Sequence, residues 1–216
     1  MSVPMTRGAA GFRLRLPEHW FDVSIADEAS ENAVAARVWR RCGAAGLDDR
    51  RSGELTESVR RSVRHARRSG ALQAGGTFEL YEDGPLIATV VVSALRPPAT
   101  GDVFSALLSI PESAVASGTW HRVSTVRLPE VGTAGRVHGV QDVTLDGHTM
   151  RCVFAHTVVR IPGSADVLVV TGSSPNLAEA DELFELFATI TATLRFTTGA
   201  GDAGAGDAGG GDQPPA

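Results

Sequence analysis

The chain has no lysine: all twenty basic residues are arginine. The two side chains differ at bidentate and stacked sites, but a total absence reflects codon bias. A GC-rich bacterial genome, such as an actinobacterial one, accounts for it most simply. An individual arginine therefore carries less meaning than usual. Cysteine is nearly missing too. Cys42 and Cys152 are too few for a disulfide framework, so two reduced thiols are expected. No stretch approaches the roughly 20 apolar residues of a membrane span, and residues 1–11 lack the apolar core of a signal peptide. There is no excess of positive charge. A net charge of −5 and a pI near 5.7 argue against a dedicated nucleic-acid binder. A cytoplasmic protein with no membrane insertion is the expectation.

What is present is a clear pattern of elements. Phe12 to Leu16 and Phe21 to Ile25 alternate apolar and polar residues around Pro17-Glu18-His19-Trp20, which predicts a hairpin with Trp20 as a core anchor. Helical spacing begins near Glu28. Val34, Val38 and Cys42, with Ala35 and Trp39 alongside, make one apolar stripe. A second helix is predicted over about Gly53 to Ser69, with Leu55, Val59, Val63 and Ala66 on one face. The period then becomes two. Thr77 to Tyr81 and Leu86 to Leu95 flank the turn Glu82-Asp83-Gly84-Pro85. Residues 101–116 suggest a short helix and a Pro-broken connection. Trp120 to Leu128, Gly135 to Leu145, Thr149 to Ile161 and Ala165 to Thr171 read as a meander, its later turns at Asp146-Gly147 and Pro162-Gly163. Asn176, three residues before Glu179, fits the N-cap of a last helix whose buried stripe is Leu183, Phe187, Ile190 and Leu194. The sum is an α+β fold: a central, mostly antiparallel β-sheet flanked by helices. One domain is expected over residues 11–197, after a flexible N-terminus over 1–10. Residues 198–216 are rich in Gly, Ala, Asp and Pro, have nothing to bury, and are expected to be disordered.

The opening Phe12-Arg13-Leu14-Arg15-Leu16-Pro17-Glu18-His19-Trp20 is similar to the strand–Pro–x–x–Trp start of PsbP-like domains. The closing Val167 to Thr171, with Ser173-Ser174-Pro175-Asn176 and the helix to Thr193, resembles the last strand–helix unit of that fold. The nearer resemblance is to uncharacterised actinobacterial members associated with secretion loci. Members of the fold include a photosystem II extrinsic subunit, a Ran-binding import factor, actinobacterial lipoproteins and bacterial chaperones for secreted effectors. The resemblance implies binding of another protein, generally without catalysis. It transfers no functional residue.

Among candidate sites, the second helix stands out. Arg60, Arg61, Arg64, Arg67 and Arg68 lie opposite its apolar stripe, a positive face on an acidic protein that suits an acidic partner segment and electrostatic steering. The plain alternative is a solvated helix face, partly neutralised by Glu54 and Glu57. Cys152 and His156 are about 13 Å apart if they lie on a strand, too far to share a zinc ion unless a neighbouring strand's residue such as His138 completes the site. No metal and no cofactor are expected. The chain has no Gly-x-Ser-x-Gly nucleophile elbow, and no catalytic residue is assigned. Gly172-Ser173-Ser174 before a helix offers a weak anion cradle, which capping already explains. Residues 151–160 are apolar on both faces, as in a central strand covered on two sides.

The function these observations favour is a non-enzymatic protein-binding adaptor or chaperone, with a secretion-associated client as one candidate. Its Arg face would steer the client and apolar sheet residues would hold it. On that view, charge reversal at Arg60, Arg64 and Arg67 weakens capture with little loss of thermal stability. The alternatives are a small-molecule binder or hydrolase with a cleft between sheet and helices, and a structural subunit of a larger assembly. Neither the partner nor the oligomeric state follows from the sequence.

Overall fold

The computed structural model describes residues 11–23, 28–81, 84–97, 118–145 and 147–197. The expectations for the N-terminus, the Gly/Ala/Asp tail, the segment 101–116, and the turn residues Glu82, Asp83 and Asp146 lie outside these residues. The described chain runs β1 (Gly11–Arg13), β2 (Phe21–Val23), α1 (Glu28–Ala44), α2 (Asp49–Arg68), β3 (Ala71–Tyr81), β4 (Gly84–Leu95), β5 (Trp120–Leu128), β6 (Gly132–Leu145), β7 (His148–Arg160), β8 (Val167–Ser174), α3 (Ala180–Ala192) and β9 (Arg195–Thr197). Seven strands form one antiparallel sheet in the order β2-β3-β4-β8-β7-β6-β5, and β1 pairs with β9. This is the α+β fold that the period-two segments predict.

Strand alternation assigns the layers. In β4, Ala88, Val90 and Val92 point to the face covered by α3, where Leu168, Val170, Val153 and Val159 join Leu183, Phe187, Ile190 and Leu194 in one cluster. Ile87 and Val91 point the other way, beside Phe78 and Ala74, against Val34, Val38 and Cys42 of α1 and Val63 and Ala66 of α2. The α1–α2 pair thus covers one face near β2 and β3, and α3 covers the other. β7 lies between β8 and β6, and Val153, Phe154, Ala155, Val158 and Val159 are all buried. Its two-sided apolar character follows from that central place.

The opening strands do not form the expected hairpin. β1 pairs with β9, Phe12 opposite Phe196, while β2 pairs with β3, Phe21 opposite Gly76. The turn between them is closed by the Trp20 N–H donating to the Pro17 carbonyl at 2.9 Å, and Trp20 is buried as predicted. Phe12 joins the α3 cluster and Phe21 the α1–α2 cluster. Trp20, next to Phe21 in the chain, joins Phe12 in the α3 cluster, so the two opening strands meet in the core although each pairs elsewhere.

The last unit also differs from expectation. β8 continues through Ser174, so Gly172 and Ser173 are ladder residues rather than a loop before a helix. Their backbone groups are engaged by β4 and β7, which removes the anion cradle. Nor does Asn176 cap α3. The cap position is Glu179, with no side-chain cap bond. Asn176 instead closes the end of β4: its Nδ2 donates to the Pro85 carbonyl and its Oδ1 accepts from the Ile87 N–H, both at 2.9 Å.

Candidate functional site: the α1–α2 layer

Two antiparallel helices joined by a four-residue link make this layer. Asp48 caps α2 by accepting from the Arg51 N–H at 2.9 Å. Gly46 turns the link with φ +76°, a conformation that favours glycine. α2 starts four residues earlier than its apolar period suggested, because Ser52 and Thr56, both buried, extend the packed face with small polar residues.

The five arginines of the predicted face are not equivalent. Arg64 reaches back to α1, donating to Glu31 Oε1 at 3.0 Å, and also donates to Glu57 at 2.6 Å. Arg67 stands 3.7 Å from the other Glu31 oxygen. The Glu31 side chain is only 7% exposed, so these guanidiniums neutralise a buried carboxylate and tie the helices together. Arg60 makes a long ion pair with Glu57, at 3.8 Å. The hydrogen bond from Arg64 holds the Glu57 carboxyl below the usual glutamate range, with the Arg64 and Arg60 charges adding to it. Glu54 turns to Arg50 instead. Arg61 and Arg68 are exposed, and neither makes an ion pair among the described residues.

Other arginines of the layer are structural. Arg41 donates to the carbonyls of Phe78 and His19 at 3.2 and 2.8 Å, and it lies over the Phe21 ring with Arg37 nearby, at 4.5 and 4.8 Å. Such cation–π contacts fix α1 on the sheet.

Between the helices runs an open groove of about 440 Å³, lined by Asn32, Ala35, Ala36, Trp39, Arg40, Gly53, Thr56, Glu57 and Arg60. Ala35, Ala36 and Gly53 keep it open by offering little side chain. Trp39 was expected in the core stripe but is 43% exposed. At 100° per residue it sits a quarter-turn past Val38, on the border of the stripe. Two buried polar atoms beside the groove have no hydrogen-bond partner: Thr56 Oγ1 and Arg60 Nε. Buried polar groups are nearly always satisfied, and both of these residues line the groove.

No family model matches the sequence, and no curated protein matches it. The chain is similar to the crystal structure of LpqN of Mycobacterium tuberculosis, a protein involved in cell envelope biogenesis. The TM-score is 0.45 with 14% sequence identity, covering 92% of this chain and 90% of that one. A likeness at that level carries no argument about activity or partner.

The histidines and cysteines do not converge. Cys152 and His156 share one face of β7, but His138, opposite Ala155, is on the other face. Among the described residues no three of His, Cys, Asp and Glu gather to hold a metal ion. His156 Nδ1 is 3.0 Å from the Thr171 hydroxyl. Burial raises both thiols above the ordinary cysteine value, and the Asp142 charge adds to this at Cys152, so neither is poised as a thiolate. Among the described residues no helix is long and apolar enough to cross a membrane.

Proposed function

We propose that the protein is a non-enzymatic adaptor or chaperone that docks a carboxylate-bearing segment of a partner protein on the α1–α2 layer. One observation carries the reading: the half-exposed Trp39 borders a preformed groove where Arg60 Nε and Thr56 Oγ1 are left without partners. Tryptophan and arginine dominate the energetics of protein–protein contacts. The groove offers a ring for apolar contact, with the Arg60 guanidinium and the Thr56 side chain on its wall. Arg61 and Arg68 supply the outward charge that steers an acidic segment, whereas Arg64 and Arg67 serve the fold. The groove's one carboxylate, Glu57, is held ionised by Arg64, an arrangement that suits docking better than proton transfer. The PsbP-like resemblance, the cytoplasmic setting and a secretion-associated client belong to this same reading.

The test is a tagged pull-down from the native host at low and moderate salt, with mass spectrometry. The wild type is compared with W39A and with the double variant R61E/R68E. A stoichiometric partner that the variants lose supports docking here. Equal capture by all three proteins removes the α1–α2 layer from the account.

A further inference from the structure

The far edge of the sheet carries a second, independent surface. Among the described residues β5 is a terminal strand nine residues long, and no described strand pairs with the outer side of its backbone. The opposite edge strand, β2, has three residues and lies beside α1. A long, regular edge is a ready template for another strand, and proteins ordinarily blunt it.

The ledge beside β5 has a distinct chemistry. Trp120, 43% exposed, stands edge-on to Phe184 of α3 and to His138 of β6, with ring centroids 5.7 and 6.1 Å away. His138 and Phe184 pack on each other at 4.8 Å. Gly139 allows this arrangement. A Cβ there would run into the Trp120 carbonyl and stand 2.7 Å from His121 Cα, so any side chain at 139 would lift the start of β5. Arg122 lies opposite His138, and Ser124 opposite Arg136, placing Trp120, Arg122, Arg136 and His138 on one face. Arg136 donates only to hydroxyls, to Thr157 at 3.1 Å and Thr191 at 2.6 Å. Neither Arg122 nor Arg136 has a carboxylate partner among the described residues. The one acid of β6, Asp142, is taken by Arg151 at 2.8 Å. His138 Nδ1 is buried and without a partner. Its basicity is lowered by burial and then by the Arg122 and Arg136 charges, so the groups nearest it are positive and uncompensated.

We propose that β5 is a strand-addition site for an extended, acidic segment of a partner protein. The guest backbone continues the sheet, its apolar residues rest on Trp120 and Phe184, and its carboxylates meet Arg122 and Arg136. Charge decides against a second copy of this chain as the occupant. β5 contains Arg122 and Arg127 and no acid, so self-pairing sets like charges together, which is unfavourable across strands. This edge is six strand intervals from β2, roughly 29 Å at a spacing of about 4.8 Å, and Trp120 faces the α3 side rather than the α1–α2 side. The protein thus has two separated docking surfaces, and this one stands whether or not the α1–α2 reading does.

The experiment uses the full chain and two ten-residue peptides that alternate Val and Thr with Glu in one and Lys in the other. Amide hydrogen exchange is followed by mass spectrometry. The expected result is slowed exchange of β5 with the Glu peptide, none with the Lys peptide, and at least tenfold more peptide needed to protect β5 in W120A and in R122E. R61E/R68E shows the same slowed exchange of β5 with the Glu peptide as the wild type. The proposal is overturned if β5 exchange is unchanged, if R61E/R68E abolishes the effect, or if sedimentation shows a dimer that W120A and R122E dissolve. Both β5 variants sit at exposed positions, and an unchanged melting temperature confirms that each is folded.

Discussion

Gly172 lies directly under the Phe187 ring: a Cβ at residue 172 would stand 2.8 Å from Phe187 Cδ2 and closer still to Cδ1 and Cγ. The absence of a side chain at this one ladder position lets α3 settle on β8 with Phe187 fully buried. Gly172→Ala therefore overpacks the main core, and a loss of about 1–3 kcal/mol is expected from urea titration. Adding Phe187→Leu to that variant recovers part of the loss by returning space. An unchanged midpoint for Gly172→Ala would show that α3 does not pack as described.

The arginines of α2 separate by what they touch. Glu31→Ala leaves the Arg64 and Arg67 guanidiniums without their shared buried acid, and Arg64→Glu sets a third carboxylate against Glu31 and Glu57. Both lower the melting temperature. R61E/R68E, at exposed positions without ion pairs among the described residues, lowers it by only a few degrees, because Arg68 in the last turn of α2 loses its favourable interaction with the helix dipole. Because Arg64 and Arg67 hold Glu31, their charge reversal is expected to cost stability, where the sequence alone suggested little loss. Equal melting temperatures for Glu31→Ala and the wild type would contradict the role given to Glu31.

Most strand and helix positions were legible because alternation and helical period report burial directly, although β3 begins at Ala71, six residues before the predicted Thr77. β5 begins and ends at the predicted residues, and Leu183, Phe187, Ile190 and Leu194 are all buried as the helical stripe predicted. What was not legible was pairing. Phe12 and Phe21 both announce strands, but nothing local says that one partner lies near residue 196 and the other near residue 76. Asn176 shows the same limit. Its spacing to Glu179 matches a capping box, while its amide is spent on Pro85 and Ile87, some 90 positions away in sequence. The candidate site was half legible. Arginine spacing located a positive face, but Glu31, which decides its inner half, lies on another helix. Trp39 was misplaced because a residue on the border of an apolar stripe faces either way until the second helix is in position. The exposed Trp120 carried one signal, an aromatic at the head of a strand rich in arginine.

Acid sensitivity follows from two histidines. Burial lowers the His156 pKa, and burial with Arg122 and Arg136 lowers that of His138. Both folded values lie below the unfolded one of about 6.5, so the unfolded chain takes up protons first as pH falls. Stability is then level above about pH 7 and declines as pH drops below about 6.5 toward the folded values. The slope is at most about 1.4 kcal/mol per pH unit for one proton. His156→Gln, which keeps a hydrogen-bonding group near Thr171, flattens the decline between pH 6.5 and 5. Carboxylates held down by arginines, such as Glu57 and Asp142, add their own loss only at lower pH. Denaturant midpoints across pH 5 to 8 check both the sign and the histidine dependence.

The central claim is that a partner protein docks at the Trp39 groove, and site-directed photo-crosslinking in the native host tests it most directly. A photoreactive phenylalanine analogue replaces Trp39 in one protein and Tyr81, exposed on a strand end, in another. The account predicts one dominant adduct from position 39, absent from position 81 and lost when R61E/R68E is combined with the probe. The same set of adducts from both positions, or none from position 39 in the folded protein, would contradict it.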